Sequence, residues 1–291
     1  FTNTSTALTA PASSSTGNYT VSFKTSAWGT HSLQQKKNSG SWLNVKSYTT
    51  NRSSDETYPP ITRNVTLTGS TSGTYYYRIY FTGNISVPAG YSNTKITTVS
   101  IVPGTPSSIS APSSNNGGSF TVSWGSSSGT VTSYKLEQQL NSGSWNQIHS
   151  GTSLSQSVSA LTDGTYKYRV KACNSSGCGG YRTVSNTTIV AHTPGVPSSA
   201  LVSPVNSIAQ THTLSWGSST GDVDKYQVYR EIDGANWTNV YDGLALSKVF
   251  SNLSDGTYKY WIRACNTEST YTTCSDYKTS LDSTLSFVEV P

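Results

Sequence analysis

Between Gly164 and Asn174 apolar and polar positions alternate with a period of two. Tyr166, Tyr168, Val170 and Ala172 fall on one side, and Lys167, Arg169 and Lys171 on the other. Such alternation predicts a half-buried antiparallel strand with one solvated face. Shorter runs of the same kind occupy Ser119–Trp124, Thr132–Gln139, Ser144–His149, Leu154–Ala160 and Arg182–Val190, with a lead-in strand near Ser108–Ala111. Seven short strands in about ninety residues, separated by turn residues, predict a sandwich of two sheets.

The pattern recurs. Phe120-Thr121-Val122-Ser123-Trp124-Gly125 returns as Thr213-Leu214-Ser215-Trp216-Gly217, with the two Trp 92 positions apart. At the same offset Trp145 returns as Trp237, Asp163-Gly164-Thr165-Tyr166 as Asp255-Gly256-Thr257-Tyr258, and Ala172-Cys173-Asn174 as Ala264-Cys265-Asn266. Four landmarks at one offset define a repeat. A more distant copy precedes them, in which Tyr19–Phe23 matches Phe120–Trp124, Trp42 matches Trp145 and Gly73–Arg78 matches Gly164–Arg169. Trp42 to Gly73 spans 31 residues where Trp145 to Gly164 spans 19, so this copy carries an insertion near Ser47–Thr62. The expected modules are 1–102, 103–192 and 193–291, joined at Val102-Pro103-Gly104-Thr105-Pro106 and His192-Thr193-Pro194-Gly195-Val196-Pro197. Proline fixes φ and stiffens a connector, so an extended rod of three modules is expected.

At these residues the chain resembles the fibronectin type III family. The Trp of the second strand (Trp124, Trp216) carries the resemblance together with Leu161-Thr162-Asp163-Gly164-Thr165-Tyr166. Repeated at Leu253–Tyr258 and stretched between Leu67 and Tyr75, that segment is similar to the family's tyrosine corner. The resemblance implies that Tyr75, Tyr166 and Tyr258 each bond back to the backbone at the turn before their strand. More narrowly, the modules resemble those of bacterial surface and secreted proteins, in particular large YD-repeat (Rhs-type) proteins. An all-β fold and an extracellular setting follow as expectations, but such modules serve as spacers and as binding surfaces alike.

Composition narrows the class. Ser and Thr make up 95 of the 291 residues and charged residues only 11%, figures that suit a disordered tract. The 19 Tyr and 7 Trp exclude that, because disordered chains are poor in aromatics. No run approaches the ~20 apolar residues of a membrane-spanning helix, so membrane insertion is not expected. The chain starts at Phe1 and contains no Met, and so reads as a mature or excised piece of a larger protein.

Cys173 and Cys178 lie five apart, Cys265 and Cys274 nine apart, each pair at the exit of the sixth strand. Neither spacing fits a zinc ribbon, and no matching His pairs accompany them. One disulfide per module is expected instead, as in a secreted chain. Over so short a loop the entropic gain is at most about 2 kcal/mol, so each bond should shape its hairpin more than hold the sandwich.

Other patterns dissolve on comparison between copies. Gly125–Gly129 and Gly217–Gly221 match G-x-S-x-G, but the motif needs a strand-to-helix elbow and these loops lie between two strands. The acidic pairs Asp222/Asp224 and Glu231/Asp233 suggest acid–base work or a calcium site. Module two has Thr130 and Thr132 at the positions of the first pair, which favours a solvated turn. No catalytic constellation and no cofactor or metal pattern is present.

Trp42, Trp145 and Trp237 share one position in the three modules. They either stack on the apolar faces of sugar rings or cover the edge of their own sandwich, and fixed repetition favours the second. Trp28, Tyr48, Tyr58, Tyr80, Tyr181, Trp261 and Tyr271 are less regular aromatic candidates. The net charge of +5 divides as +6, +3 and −4 over the three modules. Basic residues are dispersed and no nucleic-acid motif occurs, so nucleic acid is not an expected partner. Opposite charge at the two ends would favour head-to-tail self-association, with Leu285–Val290 as a strand able to pair at an exposed edge. Two functions are thus expected in order: a non-enzymatic spacer or interaction segment that meets other protein modules, then a segment that binds cell-surface glycans.

Overall fold

The computed structural model describes residues 7–25, 29–50, 59–83, 88–208 and 210–285. Half of the insertion near Ser47–Thr62, and the stretch Leu285–Val290 beyond its first residue, lie outside them. Among the described residues every regular element is a β-strand, and no helix is long and apolar enough to cross a membrane.

Each copy of the repeat builds two sheets. In the first, Ser13–Ser14, Lys95–Val99, Gly73–Phe81, Gly29–Lys37 and Leu43–Thr50 lie side by side, and Tyr19–Thr25 pairs with Ile61–Leu67 in the other sheet. In the second, the order is Ser114–Asn115, Thr188–Val190, Gly164–Asn174, Ser133–Leu140 and Trp145–Gly151, with Ser155–Val158, Phe120–Trp124 and Ile109–Ser110 opposite. In the third, Asn206–Ser207, Ser283–Leu285, Gly256–Glu268, Lys225–Ile232 and Thr238–Gly243 are paired in the same sequence. Its second sheet is Ala200–Ser203, Thr211–Trp216 and Ser247–Ser251. The architecture is all-β, tandem sandwiches.

The chain also divides into two compact units. One comprises Phe1–Thr105, Ser127–Ser133 and Ala172–Gly180; the other comprises Pro106–Ser126, Tyr134–Lys171 and Tyr181–Pro291. This division runs through the middle repeat.

Alternation along the strands translates into burial. In Gly164–Asn174, Tyr166, Tyr168, Val170 and Ala172 are buried, Lys167 is exposed, and Arg169 and Lys171 are half-buried. Val21, Phe23, Leu33, Tyr77 and Ile79 form the interior of the first module, and Leu214, Trp216, Val228, Tyr260 and Ile262 that of the third. Each such side chain contributes about 1.5–3 kcal/mol on leaving water.

Two strands differ from the sequence reading. The lead-in strand is split, with Ile109–Ser110 in one sheet and Ser114–Asn115 in the other, where it runs parallel to Thr188–Val190. Pro112 lies at the crossing and has no N–H for a ladder, so the chain changes sheets there. Pro204 occupies the same place between Ala200–Ser203 and Asn206–Ser207. Likewise the run Arg182–Val190 is two strands, Arg182–Thr183 and Thr188–Val190. Between them the Asn186 amide turns to the carbonyls of Ala111 and Pro112, each at 3.3 Å.

The turn before each long strand follows one plan. The hydroxyls of Tyr75, Tyr166 and Tyr258 donate to the carbonyls of Thr71, Thr162 and Ser254 at 2.9, 2.9 and 2.8 Å. The strand opens on Gly73, Gly164 or Gly256, at φ of +150°, +146° and +154°. A side chain is strained there, and a Cβ on Gly164 would stand 2.7 Å from Leu140 Cδ1.

Candidate functional site

The outward face of the long strand carries a cation–aromatic stack in the first two modules. In module two the Arg169 guanidinium lies 4.2 Å from the ring centre of Trp145 and 4.2 Å from that of Tyr181, between the two. Glu137 on the neighbouring strand fixes it, with Arg169 Nη2 at 2.6 Å and Nε at 2.7 Å from Oε2. Tyr181 donates its hydroxyl to the other oxygen of Glu137 at 2.5 Å. Burial alone would raise the Glu137 carboxyl. The hydrogen bonds from Tyr181 and Arg169, with the charges of Arg169 and Lys171, outweigh it and hold the carboxyl below its ordinary range.

Module one repeats the plan without the acid. Arg78 lies 4.1 Å from the Trp42 ring and 3.9 Å from the Tyr91 ring, and its Nε donates to Gln34 Oε1 at 2.9 Å. Lys36 adds a second cation 5.3 Å from Trp42. Such contacts gain about 0.5–1 kcal/mol each at exposed sites.

Module three departs from both. Positions occupied by Glu137, Arg169 and Tyr181 are taken by Tyr229, Trp261 and Tyr277. Trp237 and Trp261 stack with centres 4.1 Å apart at 25°, and Trp261 meets Tyr277 at 5.4 Å. Tyr229 closes the group edge-on to Tyr277 at 5.8 Å. Acid and base have been exchanged together for aromatic rings. Arg263, one rung along, lies 5.0 Å from Tyr277 and donates to Gln227 Oε1 at 2.9 Å. The result is a four-ring patch without the half-buried ion pair.

Trp42, Trp145 and Trp237 are each half-buried, and a ring face of each is engaged by Arg78, Arg169 or Trp261. Arg78 and Arg169, which complete two of these stacks, are not singled out by the sequence, although the offset of 92 sets Arg169 against Trp261. Of the scattered aromatics, Tyr181 and Trp261 join the stacks, Tyr80 meets Tyr91 at 4.9 Å, and Trp28 and Tyr58 lie outside the described residues.

The cysteines form two disulfides, Cys173–Cys178 and Cys265–Cys274, each across a hairpin with Cα atoms 4.0 and 4.1 Å apart. Among the described residues no group of three or more His, Cys, Asp or Glu is placed to hold a metal ion. Asp224 and Asp233, of the acidic turn residues, have backbone partners. Asp224 accepts the Thr267 amide at 2.6 Å and Asp233 the Thr257 amide at 2.7 Å. Asn141 accepts the Thr165 amide in the same way at 2.8 Å, so the second of these is a turn device shared between modules. Both G-x-S-x-G loops run from strand to strand, Trp124 to Ser133 and Trp216 to Lys225, without an elbow helix.

No family model matches the sequence, and no curated protein matches it either. Among solved structures it is similar to the FN1–FN3 domains of chicken CNTN1, at 16% identity and a TM-score of 0.31 over 92% of this chain and 94% of that one. It is also similar to a two-domain fibronectin type III segment of chicken tenascin, at 17% identity and a TM-score of 0.40 over 62% of this chain and 98% of that one.

Proposed function

We propose that the chain is a non-enzymatic spacer and interaction segment of a larger extracellular protein, a bacterial surface or secreted protein of the YD-repeat kind. The carrying observation is the repeated sandwich with its outward stack engaged within the module: in modules one and two an arginine fills the space between Trp and Tyr where a flat ligand would lie. Two hairpin disulfides suit an oxidising compartment. Its partners are protein modules, including a second copy of the chain met head to tail through the +6 and −4 ends. Sedimentation across a wide concentration range tests self-association. Association that weakens as salt rises supports it, and a single species at low and high salt removes it.

A second reading, glycan binding, is favoured by one observation: in module three Trp237 stacks on Trp261 and not on an arginine, at one end of a four-ring patch whose Tyr277 and Tyr229 lie against Arg263. A glycan array with the native chain and a Trp237→Ala variant separates the two. Silence on every glycan keeps the first reading, and Trp237-dependent binding replaces it with the second.

A further inference from the structure

Each compact unit contains a linker carbonyl held from the side by an asparagine that directly follows a hairpin cysteine. In the first unit Asn174 donates its side-chain amide to the carbonyl of Ile101 at 2.9 Å. The Ser72 hydroxyl donates to the same carbonyl at 3.3 Å, and its oxygen receives the Ile101 amide at 3.0 Å. In the second unit Asn266 donates to the carbonyl of His192 at 3.0 Å, and Thr273 adds its hydroxyl at 3.1 Å. The His192 amide donates to Asp163 Oδ1 at 2.9 Å, and Asn266 reaches Asp163 Oδ2 at 2.6 Å.

These are two copies of one joint. Ile101 and His192 stand two residues before the Pro-Gly of their linkers, Ser72 and Asp163 precede the corner glycine, and Asn174 and Asn266 follow the first cysteine of their hairpins. The asparagine rotamer is fixed locally in the first joint, where Asn174 Oδ1 accepts the Ser176 amide at 2.8 Å. Each disulfide joins the residue beside that asparagine to its cross-strand partner, Cys173 to Cys178 and Cys265 to Cys274. The bonded strands are already paired through their backbones, and a loop this short gains little entropy from closure. Module one forms its sandwich with Thr82 and Gly83 at the cysteine and asparagine positions, and has no cysteine at all. Cysteine and asparagine are present together or missing together.

We propose that the two disulfides serve the joints and not the sandwiches: each closes the hairpin that presents an asparagine to the linker of the preceding module. The partner this hairpin end recognises is a linker carbonyl flanked by the corner residue of the module before it. The linkers are thereby clamped connectors, and the stiffness of each joint depends on its own disulfide.

Amide hydrogen exchange on the full chain tests this. Replacing Cys265 and Cys274 together by Ser is expected to speed exchange of the His192 amide at least tenfold, with the amides of Tyr260 and Ile262 unchanged. Replacing Cys173 and Cys178 should act on Ile101 and leave His192 alone. Asn174→Ala and Asn266→Ala, which keep the disulfides, should each reproduce the effect at their own joint. Unchanged linker exchange in the cysteine variants overturns the proposal, as does loss of protection throughout the sandwich. Unchanged exchange in the asparagine variants overturns it equally.

Discussion

His212 Nε2 lies 2.5 Å from the Tyr260 hydroxyl in the interior of the third module, where 1% of His212 is exposed. The other two modules hold the same pair of positions differently. Tyr19 meets the Tyr77 hydroxyl at 2.5 Å, and Phe120 packs edge-on to the Tyr168 ring at 6.0 Å. One site in the core thus accepts Tyr, Phe or His against a constant tyrosine. Burial drives the phenols upward from their ordinary range in all three modules, so they remain neutral hydrogen-bonding groups.

The choice of His makes stability depend on pH. Burial, and then the charge of Arg230, lower the His212 pKa; burial and Arg63 do the same to His31 in module one. The unfolded chain takes up a proton near pH 6.5 that the folded imidazole refuses, so stability is full above that value and falls as pH drops below it. Each histidine contributes a slope of up to roughly 1.4 kcal/mol per pH unit down to its folded pKa. Thermal melts from pH 8 to 5 should show a declining midpoint, and His212→Phe, the residue module two carries there, should flatten the third module's share. A flat native profile would refute this.

The exchange of Glu137 and Arg169 for Tyr229 and Trp261 predicts strong coupling. Arg169→Trp alone strands the Glu137 carboxylate, of which 14% is exposed, beside a ring, and Glu137→Tyr alone leaves Arg169 without its acceptor. Each single change should cost about 1–3 kcal/mol. The double variant, which reproduces module three, should cost less than the sum by on the order of 1 kcal/mol. Denaturant melts of the four proteins give the cycle, and strict additivity would show the exchange to be drift.

Removing one corner hydroxyl is a smaller change. Tyr166→Phe loses the bond to the Thr162 carbonyl and leaves the ring buried, so about 1 kcal/mol should go. Gly164→Ala, placed at a φ that side chains avoid, should cost more. A reversed order in chemical melts would mean that the hydroxyl and not the turn controls the corner.

Much of this was legible in the sequence. A period of two in Tyr166–Ala172 and an offset of 92 between Trp124 and Trp216 establish strands and repeat, because both are imposed by pleat and burial. The split of the lead-in strand at Pro112 was not legible, since proline marks an interruption but not the sheet to which the chain crosses. The stacks were half legible. Trp145 stands out at its fixed position, but Arg169 and Tyr181 lie 32 and 44 residues from Glu137 and meet it only through strand pairing. Asn174 and Asn266 read as ordinary loop residues until the linker carbonyls of Ile101 and His192 lie against them.

The two joints should separate in acid. Asp163 holds the second joint through its carboxylate. Burial would raise that carboxyl, but hydrogen bonds from the His192 ring, Asn266 and the His192 amide, and the charge of His192, outweigh it and keep the group ionised below its ordinary range. A carboxyl lowered in the folded state contributes fully above its unfolded value of about 3.9 and loses the contribution as pH falls through the folded value. In the first joint Ser72 stands where Asp163 does, Ile101 stands where His192 does, and neither ionises. Protection of the His192 amide, corrected for intrinsic exchange, should therefore collapse below about pH 4 while that of Ile101 persists. Asp163→Asn keeps an acceptor for the His192 amide and removes the titration, so its His192 protection should be lower at neutral pH and constant across this range. Parallel loss at both amides in the native chain would place the acid response in the sandwiches, and unchanged protection of His192 down to pH 2 would show that the carboxylate does not hold the joint.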